Sequence, residues 1–178
     1  MTLLALLALI LGMSLAKLLR RPVPPLKHPW VLLLSPLPEV LAAFTPLPTP
    51  LAQGLTYALV ALGAILNLHL WGMYFLVLGA LLNATVILLY GGMPVDPVAL
   101  DRAGLSAYRD FLLDQKDGLH YLGPAFPLGD WIVLPGRVVS PGDLAIALGL
   151  FLIPVLGERS NHAPRTRAYG GQRTGKER

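Results

Sequence analysis

Apolar residues run through this chain in long blocks, divided by short clusters of proline, glycine and charge rather than by a strand-like or amphipathic alternation. The first block, TLLALLALILGMSLAKLLRR, is continuously apolar from Leu3 to Ala16 and closes on Lys17, Arg20 and Arg21. A cleavable signal peptide carries its positive charge before the apolar stretch and small residues after it. The reverse order here predicts a retained membrane span at about 2–19, with the basic side chains reaching toward headgroups. The second block, WVLLLSPLPEVLAAF at about 30–44, is interrupted by Pro36, Pro38 and Glu39. Two prolines remove backbone donors, so a broken span is expected there. The uncharged stretch TPLPTPLAQG that follows reads as a stiff turn.

From Leu55 to Gly92 no side chain is formally charged. A single straight helix over that stretch would be about 57 Å long, nearly twice a hydrocarbon core of about 30 Å. The segment must fold back. NLHLWG, residues 67–72, supplies polar and flexible positions and an interfacial tryptophan, which predicts spans at about 55–70 and 72–90. The last apolar block, Leu144 to Leu156, becomes a span at about 139–156 when Val139 is included.

Composition agrees with the pattern. The chain is 54% hydrophobic and 13% charged, with a mean hydropathy of +0.62, whereas an ordinary soluble domain is roughly 25% charged. Without cysteine, disulfides, thiolate metal sites and cysteine nucleophiles are excluded. His28, His69, His120 and His162 show no ligand spacing, so no metal and no cofactor is expected. Walker, dinucleotide and Ser-x-x-Lys patterns are likewise missing.

Charge fixes an expected topology. Lys17, Arg20, Arg21 and Lys27 follow the first span, and Arg159, Arg165, Arg167, Arg173, Lys176 and Arg178 follow the last. The positive-inside bias puts both groups in the cytoplasm, which an odd number of spans satisfies. The expectation is therefore an all-α polytopic membrane helix bundle of about five transmembrane spans, with the N-terminus outside and the C-terminus inside. A partly structured exoplasmic loop at about 93–137 holds six acidic residues against four basic ones. Within it, LSAYRDFLL places Leu105, Tyr108, Leu112 and Leu113 on one face, as a short helix lying on the membrane would. The membrane domain is expected to span 1–157, and a disordered basic cytoplasmic tail 158–178. That tail suits anionic headgroups and the enforcement of topology; nucleic acid is not an expected partner.

The candidate chemistry lies in acids and amides. Asp143, after Ser-Pro-Gly, is placed to accept backbone N–H groups at the start of the last helix. Asp130, in FPLGDWIVLP, reads as a turn carboxylate that pins the loop. Asp96 stands just beyond the fourth span and Asp101 a little further on. Glu39, Asn67 and Asn83 are candidate intramembrane polar residues, and the four-residue pairs Gly63–Asn67 and Gly79–Asn83 suit close helix packing.

GGMPVDPVALDRAG at residues 91–104, with LGDWIVLP and the later VSPGDLAIALG, resembles a family of small bacterial polytopic membrane proteins of unknown function. The resemblance implies a multi-span protein and supplies neither substrate nor catalytic residues. Asp143, Ile146 and Gly149 are also spaced like the last motif of the lipoprotein signal peptidases, Ala-Asp-x-x-Ile-x-x-Gly, and Asp130-Trp131-Ile132 is similar to a piece preceding it. That likeness implies an aspartic pair with Asp101, whose Asp101-Arg102 matches half of an Asn-x-x-Asp-Arg motif, as partner to Asp143, although Val98 stands where that family carries asparagine. Asp96 is the rival partner because it stands at the outer end of the fourth span. The leading expectation is a membrane protein of unknown activity that is not an enzyme. An aspartic membrane peptidase, and a small transporter or accessory subunit bound to a membrane-protein partner, are the alternatives.

Overall fold

The computed structural model describes residues 2–114 and 119–158; the expected tail beyond 158 and the loop residues 115–118 lie outside the described residues. Helix α1 covers Thr2–Leu18, and the proline-broken block forms two short helices, α2 at Pro29–Leu33 and α3 at Leu37–Ala42. Helices α4 (Thr49–Ile65) and α5 (Gly72–Tyr90) follow, parted by the expected 67–72 hinge. Then come strand β1 (Met93–Val95), helices α6 (Pro97–Arg102) and α7 (Ser106–Asp114), strands β2 (His120–Leu122), β3 (Ile132–Leu134) and β4 (Arg137–Val139), and helix α8 (Pro141–Leu156).

The chain runs up and down. Leu32 of α2 lies on Gly63 near the end of α4, and Gly54 near the start of α4 lies under Leu88 near the end of α5. Gly72 and Gly79 of α5 face the carbonyls of Gly149 and Gly142 of α8, so those two helices are antiparallel. Helix α1 runs alongside α8, with Arg21 Nη1 donating to the Val155 carbonyl at 2.9 Å where both end. Five passes of alternating direction therefore make one bundle. Their buried contact faces are lined by small residues, including Ala52, Gly54, Ala61, Gly63 and Ala64 of α4, while Leu7, Leu11, Leu33, Leu41, Leu62, Leu81, Leu88 and Leu148 are exposed on the outside. Helix α5, 19 residues with a mean hydropathy of 2.1 over its best window, is long and apolar enough by itself to cross a membrane; the other passes are shorter.

Several expectations change. The third pass begins at Thr49 and ends at Ile65 rather than running over 55–70. Pro50 occupies the first turn, where its missing N–H is no loss, so the supposed proline-rich turn starts the helix instead. The fold is mostly helical but not all-α: β1 and β2 pair in parallel and β3 and β4 form a hairpin, each a two-stranded sheet. Pro135-Gly136 turns that hairpin, with Gly136 at φ 68° as the third position of a type II turn requires. The described residues between 93 and 139 thus fold into a cap over one end of the bundle. Val95, Leu100 and Leu112 form the cap's own core, packed by Leu105, Tyr108, Leu122 and Val138. Leu105, Tyr108 and Leu112 of the expected membrane-surface helix are spent there, and Leu113 alone of that face is exposed. The cap sits on the bundle through Tyr90 and Phe126, whose rings lie 5.1 Å apart, and through Met93, which joins the bundle core of Tyr57, Ala80, Ile87 and Ile146.

The α5–α8 contact is the tightest in the bundle. A Cβ on Gly149 would meet the Leu76 side chain and the Gly72 carbonyl. Gly149→Val should force the helices apart at a cost of about 1–3 kcal/mol, measurable in detergent as a lowered melting temperature. The same change at Gly104, around which a Cβ meets open space, tests only its φ of +74° and should leave the bundle transition closer to wild type.

Candidate functional site

Helix α8 opens directly under the cap, and its first turn is fixed by Ser140 and Pro141. Ser140 is the N-cap: its Oγ accepts the Asp143 N–H at 3.1 Å, and Pro141 follows where no donor is needed. The capping role expected of Asp143 therefore belongs to Ser140. The carboxylate of Asp143 is released for another bond, because serine reaches the third N–H of the helix first.

That bond goes to Asn83, fully buried in the middle of α5. Asn83 Nδ2 donates to Asp143 Oδ1 at 2.7 Å and lies 3.2 Å from the Tyr57 hydroxyl of α4, while Asn83 Oδ1 accepts from Ser140 Oγ at 3.0 Å. One amide thus ties three elements, both its donor and its acceptor sides engaged. Gly142 makes this possible, since a Cβ there would collide with the Asn83 amide.

Asp130 approaches the same place from the cap. Its backbone pairs with β1, the N–H donating to the Pro94 carbonyl at 2.9 Å and its own carbonyl accepting from Asp96 N–H at 2.9 Å. The expected pinning of the loop is thus performed by main chain. Its side chain turns inward, with Oδ2 3.9 Å from His120 Nε2 and Oδ1 buried without a hydrogen-bond partner among the described residues. Burial, reinforced by the nearby Asp143 carboxylate, raises its pKa from 3.8 to about 8. At neutral pH Asp130 is therefore mostly protonated beside an Asp143 held by an amide donor.

Between bundle and cap lies a chamber of about 370 Å³. Asp130, Asp143, Glu39 and Tyr57 line it, together with His120 and Arg137, and Ile87, Val95, Leu100 and Leu105 supply apolar wall. Glu39, on α3, is otherwise exposed. It belongs to the chamber wall, with the Tyr57 and Asp143 that Asn83 binds.

The other candidates lie apart from the chamber. Asp96 caps α6, accepting the Val98 N–H at 3.0 Å. Asp101 binds Arg109 and accepts from Ser106 Oγ at 3.0 Å. Those partners lie on the cap, so neither Asp101, which the signal-peptidase likeness implied, nor Asp96, which its position suggested, pairs with Asp143. Asn67 works at the opposite end of the bundle. It accepts the Lys27 N–H at 2.6 Å and donates to the Lys27 and Gly63 carbonyls at 2.7 and 2.8 Å, clamping the segment after α1 onto the end of α4. Among the described residues no group of three or more histidines, cysteines or acids could hold a metal ion.

Tyr57, Ser140 and His120 were not singled out by the sequence. Tyr57 sits within an uncharged apolar run, and the Ser-Pro-Gly-Asp signature fits either of two caps. His120 comes into place only through the pairing of β1 with β2, His120 lying opposite Met93.

Residues 25–155 match a family of unknown function, DUF5317, and the chain belongs to that family. No curated protein matches the chain, and no solved structure does. Nothing in these comparisons links it to the lipoprotein signal peptidases.

Because the folded-state pKa of Asp130 is raised from 3.8 to about 8, the folded form binds more protons than the unfolded one between those values. Its contribution to stability is complete below about pH 4 and is lost as pH rises through about 8. Melting temperatures measured from pH 5 to 9 should fall for the wild type, and the part due to this carboxyl should vanish in Asp130→Asn.

Proposed function

We propose that this member of the DUF5317 family is a five-span integral protein of a bacterial inner membrane, with its N-terminus outside, its C-terminus inside and its folded cap on the outer face. The observation that carries the reading is the sidedness of the bundle: leucines on all five passes point outward, while Asn83, Asp143 and Ser140 are buried within. In water such an exterior would be an aggregation surface; in lipid it is the favourable arrangement, and the interior amide network is what a bundle without water requires. Passes of 16 or 17 residues are about 24–26 Å long, close to a hydrocarbon core of about 30 Å once tilt, flanking turns and basic anchors are included. Lys17, Arg20, Arg21 and Lys27 cluster at the end opposite the cap, and the residues after 158 continue the basic run from that same end, which supports a cytoplasmic assignment and contact there with anionic headgroups.

Its working site is the chamber under the cap, and its role is that of a binding component, acting alone as a small transporter or within a larger membrane complex. A chamber between a bundle end and a cap drawn from a single loop gives a ligand a route from the outer side. A second reading, an aspartic membrane peptidase, is favoured by one observation: Asp130 and Asp143 interact, one mostly protonated and the other accepting an amide hydrogen bond, as a water-activating pair needs.

Two measurements test these readings. A reporter active only in the cytoplasm should be active when fused after Arg178 and silent when inserted at Gln115; activity at Gln115 defeats the five-span topology. Asp143→Asn should fold, since an amide oxygen can accept the same bond from Asn83. If that variant retains the phenotype lost on gene deletion, the peptidase reading is excluded, because an amide cannot exchange the proton.

A further inference from the structure

Three features of the chamber converge on one kind of ligand. The first is an unfilled acceptor: Asp130 is 8% exposed and its Oδ1 has no partner among the described residues, although it borders a chamber of about 370 Å³. A buried carboxyl oxygen left without a donor is costly. The second is charge. The titratable and charged groups around Asp130 are Glu39 from α3, Tyr57 from α4, Tyr108 from α7, His120 from β2, Arg137 from β4 and Asp143 from α8. Three carboxyl groups, Glu39, Asp130 and Asp143, stand against the single guanidinium of Arg137, so the chamber favours a cation over an anion. The third is the wall, where Tyr57 and Tyr108 stand among Ile87, Val95, Leu100 and Leu105, a surface for a hydrocarbon body and a cation–π face for its charge. A bare metal ion instead needs several converging oxygen, nitrogen or sulfur ligands, and no such group exists among the described residues.

We propose that the chamber binds a small organic cation bearing a primary ammonium group, which donates to the Asp130 carboxyl while its apolar part lies on the aliphatic and tyrosine wall. The inference deepens the binding-component reading above and rests on it. Three N–H donors match what the site lacks: Asp130 gains a partner, and Asp143, already held by Asn83, adds a second negative charge nearby. The proton balance follows from the chemistry. The ammonium stays protonated, Asp130 gives up its proton to solvent, and the bound state contains a carboxylate–ammonium pair in place of a neutral carboxylic acid.

The test uses the full chain in phosphatidylcholine nanodiscs, titrated calorimetrically with n-butylammonium chloride in two buffers of different ionisation enthalpy. Empty nanodiscs and 1-butanol measure simple partitioning. Saturable binding of the amine and not of the alcohol is expected, with about 0.9 proton released per amine at pH 7 and about 0.1 at pH 9, as a carboxyl titrating at about 8 requires. Asp130→Asn should weaken binding at least tenfold and abolish the proton release. Amine binding no better than the alcohol, release of no proton by the wild type, or unchanged affinity in Asp130→Asn overturns the proposal. The buffer comparison on wild type decides the matter without any variant. A chain that passes the reporter test but fails here loses only the ligand assignment, while the membrane topology stands.

Discussion

The close approach of α5 and α8 is the constraint on which the rest depends. Gly72 and Gly79 on one helix meet Gly149 and Gly142 on the other, so the two backbones come into contact without side chains between them. In lipid, where apolar side chains gain little by leaving their surroundings, such contact is a principal source of helix association. It also sets the register of everything at the cap end. With Gly142 against α5, Asn83 stands within reach of both Ser140 and Asp143, and Tyr57 of α4 completes the cluster. A larger residue at Gly142 would occupy the position of the amide itself.

From this register follows a division of labour between carboxylates. Ser140 satisfies the helix terminus, leaving Asp143 to face Asn83, and β1 holds the backbone of Asp130 so that its side chain enters the chamber. Asp143 is thus anchored, whereas Asp130 is buried with an oxygen unpaired among the described residues. Two acids of the same type, thirteen positions apart in sequence, meet different surroundings: Asp143 has a fixed amide donor, whereas burial and the nearby Asp143 raise the pKa of Asp130. The acids of the outer cap surface show the contrast: Asp101 and Asp110 both engage Arg109 in solvent, where such pairs are worth little.

Much of the bundle was legible in the residues because its signals are local. The 38-residue uncharged run cannot be one helix, and NLHLWG marks the fold-back; Pro36 and Pro38 break the second pass where expected. The start of the third pass was misplaced because proline was read as a breaker, although in a first turn it is compatible with helix. The cap was the least legible part. Its strands are three residues each, too short for periodicity to register, and β1 with β2 joins positions separated by two helices. The site shared that fate in part. Asp130, Asp143 and Asn83 drew attention as polar groups in apolar surroundings, but their pairing depends on the glycine register and on β1. The partners expected for Asp143, Asp96 from its position and Asp101 from a motif likeness, are committed to a helix cap and to an arginine.

The Asn83 cluster also bears on how the chain is made. Asn83 precedes Ser140 by 57 positions and Asp143 by 60, so during synthesis α5 emerges while the groups that satisfy its amide are still unmade. Until α8 arrives, that amide relies on Tyr57 in the preceding helix or on water, although in the completed bundle it is fully buried. The whole cap lies between α5 and α8 in the chain and is made before α8 can close the bundle. Completion of the interior therefore comes last, and a chain halted before residue 140 holds Asn83 without the two partners that α8 supplies.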